Sequence, residues 1–346
     1  MLKKHDNENM FDSIWNFPDN LKDAIGIGDR IDLKNNYARI QNIVIAGMGG
    51  SAIGGDIVSV LESSNIRIPY LVCRDYSIPE WVNSHSLVIC SSYSGNTEET
   101  ISAFYKSIKR GASICGITTG GTLLKLLKEY KRDFIKIPSG LQPRAAVAFS
   151  FIPIIKIIEK AGLIQPDLDL WIEKSINDLE EHRIVYSKEG KENPVYQLAH
   201  KIYKKIPIIY SDTSSMRINA IRLKGQINEN AKMLAYCNDL PELNHNEIVG
   251  WQNNPEIFKY LCVLWLEDKS DNDRTKIRKN ITEDILDEVN ISQYSIKIIG
   301  ESFQQRFLNM IHYGDWLSFW CAILHETDPS PVEKIVRLKN ELSKKV

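Results

Sequence analysis

The clearest indication of the fold is the run Ser91-Ser92-Tyr93-Ser94-Gly95-Asn96-Thr97-Glu98-Glu99. It follows an apolar, strand-like segment, Leu87 to Cys90, and it opens a segment with apolar residues at helical spacing. Short hydroxyl side chains at Ser92, Ser94 and Thr97 are able to surround one phosphate group with neutral donors. A helix N-terminus adds free N–H groups and partial positive charge. The run therefore predicts a phosphate-binding loop at the end of a strand.

A glycine-rich loop occurs earlier in the chain, directly after the strand-like segment Ile43 to Ala46. Its sequence is Gly47-Met48-Gly49-Gly50-Ser51-Ala52-Ile53-Gly54-Gly55-Asp56, and its glycines let the backbone approach an anion closely. The spacing Gly47-x-Gly49-x-x-Ala52 also fits a loose dinucleotide fingerprint. A dinucleotide domain has no use for the hydroxyl-rich loop, and the acidic residue expected about 20 positions after the glycines is missing from Ile66 to Leu71. Two phosphate-binding loops in one domain are therefore the favoured interpretation.

The alternative for each loop is ordinary turn and helix-cap chemistry, because Ser, Gly, Asn and Thr are common at such positions. Two such loops at neighbouring strand ends favour phosphate binding. Glu98 and Glu99 suit the first turn of a helix, but they must point away from a bound dianion. The predicted phosphate-binding residues are Gly50, Ser51, Ser92, Ser94 and Thr97.

Strand-like and helical segments alternate along the chain, which predicts an α/β fold with parallel sheets flanked by helices. The first series of predicted strands comprises Ile43 to Ala46, Tyr70 to Cys73, Leu87 to Cys90, Ser113 to Ile117 and Phe134 to Ile137. The second series comprises Ile206 to Tyr210, Tyr260 to Leu266 and Ser295 to Ile299. We therefore predict two domains of similar design, at residues 1–165 and 196–346. A helix at about Leu168 to Glu181 and a polar linker connect them within residues 166–195.

Composition argues against several classes of protein. The 346 residues include 43 Lys and Arg against 44 Asp and Glu, so the net charge of -1 provides no basic field for nucleic acid. The first residues lack the apolar segment of a secretory signal, and the longest apolar run, Ala145 to Ile158, is too short to span a bilayer. The six cysteines form no Cys-x-x-Cys, which argues against zinc and disulfide frameworks. We therefore expect a cytoplasmic protein with no membrane or nucleic-acid partner.

Several motifs resemble those of known isomerases. Gly49-Gly50-Ser51 together with Ser92-Tyr93-Ser94-Gly95-Asn96-Thr97 is similar to the phosphate loops of the sugar isomerase (SIS) domain. Other motifs narrow the resemblance to the bifunctional phosphoglucose/phosphomannose isomerase family. They are Pro143-Arg144, Asn228-Glu229-Asn230-Ala231-Lys232, Glu242-Leu243-Asn244-His245-Asn246-Glu247 and the stretch from Asp328-Pro329-Ser330-Pro331 to Leu338-Lys339. The resemblance runs from about Asp12 to the C-terminus and implies two SIS-type domains.

The resemblance implies an isomerase that interconverts glucose 6-phosphate or mannose 6-phosphate with fructose 6-phosphate through a cis-enediol, without metal or cofactor. One carboxylate can remove the proton beside the carbonyl and return it to the neighbouring carbon. The matching residue is Glu229, about one turn beyond Gly225 on a predicted helix. A glycine inside a helix costs about 1 kcal/mol and usually marks close packing or a bound ligand. Taken alone, Glu229 would be a solvated surface residue, off an apolar stripe of Met216, Ala220, Leu223, Ile227, Ala231 and Leu234.

The resemblance also implies the residues that open the sugar ring. His245 suits acid–base transfer because the unperturbed pKa of histidine lies near 6.5. Lys339 resembles the second ring-opening residue of the family, and Lys334 and Lys344 are nearby alternatives for the same role. Arg144 is able to stabilise the enediolate as charge develops. Without the family match, these would be a loop histidine, a helix-end lysine and a surface arginine.

The same resemblance implies a homodimer in which His245 crosses the subunit boundary, and a role in carbohydrate metabolism, either glycolysis or gluconeogenesis. Family members often have Asp-Pro-Thr-Pro where this chain has Asp328-Pro329-Ser330-Pro331. The side chain at the third position therefore keeps its hydroxyl but lacks the methyl group of threonine. The resemblance implies that residues near the C-terminus leave the open-chain sugar enough room for either epimer to react.

Two other functions remain as alternatives. A non-catalytic SIS module that senses sugar phosphates would keep the loops but need neither Glu229 nor His245, and it is usually joined to a DNA-binding segment. No basic helix-turn-helix candidate precedes the first loop. The isomerase half of an amino-sugar synthase would require an N-terminal cysteine glutaminase domain, which we do not find in this sequence. The isomerase is therefore the favoured hypothesis.

Overall fold

The computed structural model describes residues 2–344 and separates into two compact units. The first unit comprises Asn16–Glu180 and Ser302–Gln305. The second comprises the chain up to Trp15, Glu181–Glu301 and the chain from Arg306 onward. The domain boundaries at residues 1–165, 166–195 and 196–346 stay predictions.

The helices, in chain order, are α1 (Leu2–His5), α2 (Met10–Trp15), α3 (Phe17–Asp29), α4 (Gly49–Leu61), α5 (Glu98–Lys109), α6 (Gly121–Glu129), α7 (Ala148–Lys160), α8 (Leu168–Tyr186), α9 (Pro194–Ile202), α10 (Arg217–Asn230), α11 (Asp273–Glu288), α12 (Phe303–Leu324) and α13 (Glu333–Leu342). The helix expected at about Leu168 to Glu181 is α8, which continues to Tyr186. No helix within residues 2–344 combines the length and the apolar character needed to cross a membrane.

The first unit is built on a parallel sheet of five strands. They are β1 (Asn42–Ala46), β2 (Tyr70–Cys73), β3 (Ser86–Ser91), β4 (Ser113–Thr118) and β5 (Asp133–Lys136), in the spatial order β2-β1-β3-β4-β5. β1 and β3 are neighbours, with Ala46 opposite Cys90. Because their carboxyl ends lie side by side, the two predicted phosphate loops begin next to each other.

The helix α7 lies in the core of the first unit. All but its last two residues are buried, and it packs on α3 and α4. Each fully buried aliphatic side chain of this kind contributes roughly 1.5–3 kcal/mol to folding. Lys156, the charged residue in this apolar stretch, forms an ion pair with Asp29 of α3 at 2.8 Å. The long apolar run of the sequence is therefore a buried helix that fixes α4, and with it the first phosphate loop.

The second unit contains a parallel sheet of four strands. They are β6 (Ile206–Asp212), β7 (Tyr236–Leu240), β8 (Leu261–Glu267) and β9 (Ser292–Lys297), in the spatial order β7-β6-β8-β9. The strand β7 is missing from the sequence prediction, because its residues Tyr-Cys-Asn-Asp-Leu include two poor strand formers at a sheet edge. The strand β9 starts three residues before the predicted Ser295. Its four strands, taken in chain order, are arranged like β1 to β4 of the first sheet.

Candidate functional site

The loop after β1 lies against two other segments of the first unit. A Cβ atom at Gly50 would stand 2.7 Å from the carbonyl oxygen of Pro143, so glycine is needed for this close approach. Ser51 is buried, and its Oγ accepts a hydrogen bond from the backbone N–H of Tyr93 at 3.2 Å. The loop therefore contacts both the β3 loop and the segment that carries Arg144.

The loop after β3 gathers several hydroxyl groups. Ser92 Oγ lies 2.8 Å from Thr97 Oγ1 and accepts from the backbone N–H of Gly95 at 3.1 Å. Ser94 Oγ accepts from the backbone N–H of Asn96 at 3.2 Å. A hydroxyl that accepts a backbone N–H keeps its own proton to donate. The loop therefore presents neutral donors suited to phosphate oxygens.

A third loop, after β4, supports the β3 loop. Gly95 has a left-handed φ of +71°, and a Cβ there would stand only 1.9 Å from the carbonyl oxygen of Gly120. Asn96 Oδ1 accepts from the backbone N–H of Thr122 at 2.9 Å and from its hydroxyl at 3.0 Å. Sequence reasoning missed this support, although the run Thr118-Thr119-Gly120-Gly121-Thr122 at a strand end was a signal that could have found it.

The helix α5 begins beside these hydroxyls. Thr97 occupies its N-cap position with an extended backbone, and its side chain makes no capping hydrogen bond. The first N–H groups of a helix have no partner within it, so they are available to an anion. Glu98 in the first turn accepts a hydrogen bond from the hydroxyl of Tyr76 at 3.2 Å. This contact ties the Glu98 carboxylate to Tyr76.

Arg144 is a buried charged residue of the first unit. It lies between β5 and α7 and is only 5% exposed. The backbone N–H of Ala146 donates to the carbonyl of Pro143 at 3.3 Å, so a turn holds this segment. Because that same carbonyl touches Gly50, the segment that carries Arg144 adjoins the first phosphate loop. The alternative of a surface arginine is therefore excluded, since the side chain is buried.

Glu229 is the penultimate residue of α10 in the second unit, and it is half-buried. Gly225, one turn before it, is not closely packed, because no atom lies within 4 Å of the position a Cβ would take. The predicted apolar stripe is buried except for Leu234, which is 60% exposed. That residue was wrongly included, because α10 ends at Asn230 and the backbone of Lys232 turns left-handed.

Buried polar contacts attach α10 to α12. The carboxylate of Asp315 accepts two hydrogen bonds from Arg222 Nη2 at 2.8 Å and one from Gln226 Nε2 at 2.6 Å. Asn230 Nδ2 donates to Ser318 Oγ at 2.9 Å. Because all these groups are buried, removing one partner would leave another unsatisfied, at a cost of several kcal/mol for the charged pair. The contacts fix the rotation of α10 about its axis.

His245 ends a short 3-10 helix, Glu242–His245, and is exposed. The next turn places Glu247 where its carboxylate accepts from the hydroxyl of Tyr210 and from Asn238 Nδ2, the latter at 2.6 Å. Burial, with the adjacent Glu247 carboxylate, raises the pKa of Tyr210 far above its usual value. The segment that carries His245 is thus anchored to β6 and β7, while the imidazole itself faces outward.

Lys339 lies on α13 and is exposed. No residue of α13 is buried, although Ile335, Val336 and Leu338 are apolar. Glu229, His245 and Lys339 therefore stand on three separate elements of the second unit. Gly50, Ser51, Ser92, Ser94, Thr97 and Arg144 belong to the first unit.

The loops after β6 and β8 occupy positions in the second sheet that match those of the phosphate loops in the first. Both contain hydroxyl residues, Thr213, Ser214 and Ser215 after β6 and Ser270 after β8, but they contain no glycine, and carboxylates stand beside the hydroxyls. Asp271 accepts from the Ser215 hydroxyl and, at 2.9 Å, from the backbone N–H of Asp268. Burial raises the pKa of Asp271, and the carboxylates of Asp212 and Asp268 add to this effect against those hydrogen bonds. Asp268 pairs with Arg306 at 2.6 Å.

A cavity of about 40 Å³ lies at these loops, lined in part by Ser211, Asp212 and Asp271. This volume has room for water but not for a sugar. Among the described residues, no group of three or more His, Cys, Asp or Glu side chains is placed to hold a metal ion.

Comparison with known proteins relates these features to a family. Residues 191–342 match the family model described as the bacterial phospho-glucose isomerase C-terminal SIS domain. The chain is 43% identical over 336 residues to a bifunctional phosphoglucose/phosphomannose isomerase of Caldicellulosiruptor bescii, covering 96% of this chain and 99% of the relative. It is 38% identical over 314 residues to the protein of the same name from Aquifex aeolicus, covering 90% and 94%.

Among solved structures, the C-terminal domain of glucosamine-fructose-6-phosphate aminotransferase from Francisella tularensis aligns with a TM-score of 0.69 at 17% identity, covering 93% of this chain and 98% of that one. At that identity, the likeness concerns the fold alone. The predicted α/β fold with two SIS-type domains is confirmed. With relatives this similar over nearly its full length, the chain belongs to the bifunctional phosphoglucose/phosphomannose isomerase family.

Proposed function

We propose that this protein interconverts glucose 6-phosphate and mannose 6-phosphate with fructose 6-phosphate. The observation that carries the proposal is the set of hydroxyls in two adjoining loops of a chain of this family. Ser51 Oγ accepts from the backbone N–H of Tyr93, and Ser92 Oγ lies beside Thr97 Oγ1 at the start of α5. The relatives from Caldicellulosiruptor bescii and Aquifex aeolicus are named for both isomerase activities. The substrate class is therefore a hexose 6-phosphate.

The first unit binds the phosphate in this proposal. A phosphate monoester carries about 1.5 to 2 negative charges at neutral pH. Gly50, Ser51, Ser92, Ser94 and Thr97 meet it with hydroxyl and backbone donors, and the N-terminus of α5 adds its partial positive charge. Neutral donors hold the group in place without neutralising it by an ion pair.

Glu229 transfers the proton. Its carboxylate removes the proton from C2 of the open-chain aldose, and the electron pair forms the C1–C2 double bond of a cis-enediol. The same carboxylate returns the proton to C1, while a proton moves from the C2 hydroxyl to the C1 oxygen. Carbon C1 is reduced and C2 is oxidised, so the reaction needs no external oxidant or reductant. Arg144 stabilises the charge that develops on the enediolate oxygens.

Ring opening precedes this step and uses His245 and Lys339. One group must protonate the ring oxygen while another removes the proton of the anomeric hydroxyl. An imidazole is able to take either role at neutral pH. Both side chains are exposed, so neither packs in the core of its unit.

Dual specificity follows from the shared enediol, because glucose 6-phosphate and mannose 6-phosphate differ only at C2. Glu229 removes either C2 proton if the open chain rotates about the C2–C3 bond. In this proposal, the segment Asp328-Pro329-Ser330-Pro331 leaves room for that rotation. The buried position of Ser330 suits a pocket-shaping residue.

We also propose that the enzyme is a cytoplasmic homodimer of carbohydrate metabolism, in glycolysis or gluconeogenesis, in which His245 serves the site of the other copy. Closed dimers are the commonest assemblies of soluble enzymes. The exposed His245 lies on an anchored turn, which supports a rigid contribution to a neighbouring chain. All six cysteines are free thiols, which suits a reducing compartment.

The test of the function is a coupled assay for fructose 6-phosphate, supplied with each aldose phosphate in turn. Glu229→Gln, which is nearly isosteric, should lower kcat by about 10² to 10⁴ while leaving sugar-phosphate binding largely intact. Wild-type protein that turns over neither substrate would overturn the function and leave the sensor alternative. A brisk reaction with glucose 6-phosphate alone would make the enzyme specific for one epimer.

The shared site is tested with mixed dimers of Glu229→Gln and His245→Ala chains. Such a dimer contains one site free of both changes, so part of the activity should return. Verified heterodimers without activity, or a monomer in solution, would reject the contribution of His245 across the interface.

A further inference from the structure

Lys232 occupies an unusual place, just beyond the helix that carries the proton shuttle. Its backbone is left-handed, with φ of 55°, at the position after the C-cap Ala231 of α10. Glycine or asparagine usually stands there, because other residues are strained in this conformation. A long charged side chain at this point is therefore of interest for what its ammonium group contacts.

The ammonium group of Lys232 joins two backbone carbonyls. Its Nζ donates to the carbonyl oxygen of Glu229 at 2.7 Å and to that of Pro329 at 2.9 Å. Both distances are typical of charge-assisted hydrogen bonds. The last four carbonyls of a helix have no partner within it, and a cation at this end is favoured by the helix dipole. The contact therefore caps the turn of α10 that contains Glu229.

The other side of this bridge is a fixed segment. Asp328 Oδ1 accepts from the backbone N–H of Ser330 at 3.0 Å, and Asp328 Oδ2 accepts from Asn7 Nδ2 at 2.8 Å. Ser330 is fully buried. Lys232 thus attaches the end of α10 to a segment that is already held in place.

Helix ends fray more readily than helix centres, and Glu229 is the penultimate residue of its helix. A base at a fraying end would sample many positions, whereas proton abstraction requires a fixed one. A displacement of about 1 Å can cost as much as 10²-fold in rate. We propose that Lys232 is a positioning residue, which holds the last turn of α10, and with it the Glu229 carboxylate, against the Asp328–Pro331 segment. This inference rests on the proposed function of Glu229.

The test is Lys232→Met, which removes the ammonium group but keeps an unbranched side chain. We expect kcat to fall about tenfold with either sugar phosphate. We expect KM to change less than about twofold, because the groups that bind phosphate lie on other elements. A purely structural role would lower the melting temperature without this division between kcat and KM.

The chain offers a matched control in Lys131. It also follows a helix, is exposed and has a left-handed φ of 53°, but it lies on the first unit far along the chain from Glu229. Lys131→Met should leave both constants unchanged. Lys232→Arg, which keeps the charge, should recover part of kcat, and Lys232→Gln provides a milder loss if the methionine variant folds poorly.

The outcomes separate the two proposals. If the wild type is inactive with both sugar phosphates, the proposed function fails. If the wild type is active and a folded Lys232→Met or Lys232→Gln protein matches it in kcat, the positioning role is overturned. A fall in kcat equalled by Lys131→Met would also overturn it, because the effect would not be specific to the end of α10.

Discussion

The two parallel sheets present different chemistry at matching strand ends. In the first sheet, the loops after β1 and β3 carry hydroxyl groups, with glycine where the backbone approaches a neighbouring carbonyl. In the second sheet, the loops after β6 and β8 also carry hydroxyl groups, but they have no glycine, and the carboxylates of Asp212, Asp268 and Asp271 stand beside them. We therefore expect the side chains, and not the position at the carboxyl end of a central strand alone, to decide whether phosphate binds.

The loops of the two sheets also differ in which of their hydrogen-bonding groups are already paired. In the first sheet, Ser94 Oγ accepts a backbone N–H and keeps its own proton for an external anion. Ser92 Oγ also accepts a backbone N–H, but it shares one hydrogen bond with Thr97 Oγ1, so this pair keeps one proton to donate. In the second sheet, Asp271 already accepts the donors of Ser215 and Asp268. A phosphate dianion there would meet buried carboxylates and be repelled. We therefore expect one phosphate site in each chain.

The largest effect should come from Gly95→Ala. A methyl group would collide with the carbonyl of Gly120, in addition to the strain of a left-handed φ of +71°. We expect a loss of about 3 to 5 kcal/mol in the free energy of unfolding, together with loss of phosphate binding. Urea unfolding and phosphate titration measure the two effects.

Gly111→Ala is the control for this change, because Gly111 has the same φ of +71° but no atom within 4 Å of the new methyl group. It should cost only about 1–2 kcal/mol and leave phosphate binding intact. Equal losses in the two variants would show that the close approach of the β3 and β4 loops is unimportant.

The next effect concerns the hydroxyl groups themselves. Thr97→Ala should raise KM about tenfold and lower kcat by less, because it removes one hydrogen bond to a charged group. Thr213→Ala is the counterpart at the second sheet, where Thr213 Oγ1 donates to the carbonyl of Leu240 at 2.6 Å. Steady-state kinetics should give it a wild-type KM. A raised KM in both variants would contradict the division between the sheets.

The smallest effect should come from Asp271→Asn. Because burial holds the folded pKa of Asp271 above the unfolded value of 3.8, the wild type loses stability as the pH rises from that value through the folded pKa. Asparagine does not titrate, so the stability of the wild type relative to the variant should fall over this window. Urea unfolding at about pH 4 and pH 7 measures the change. A difference that is constant or rises with pH would argue against a buried carboxylate, and an altered KM would argue against a passive second sheet.

Local patterns predicted much of the molecule. The strands β1 to β5 were found because each is a short apolar run between polar turns, with ends that shift by at most one residue. The two loops that we propose bind phosphate were identified because their hydroxyls and glycines are adjacent in sequence. The same reasoning missed β7, whose polar residues pair only because β6 lies beside it.

Contacts between distant residues could not be predicted in this way. Lys232 and Pro329 are 97 positions apart, and no periodicity relates a lysine to a carbonyl. The burial of Arg144 likewise depends on segments that approach it in space. The roles of Glu229, His245 and Lys339 rest on the family, since acid–base groups have no signature in composition or spacing.

The helix α13 has a practical consequence for handling the protein. None of the residues of α13 is buried. A protease that cut before Glu333 would therefore remove Lys339 without removing any core side chain of that helix. The remaining chain would keep both sheets and the phosphate loops, so it would pass tests of folding and ligand binding. In the proposal above, where Lys339 assists ring opening, its activity would depend more on the fraction of sugar phosphate that is already open. Intact mass should therefore be verified before any low turnover number is attributed to the active site.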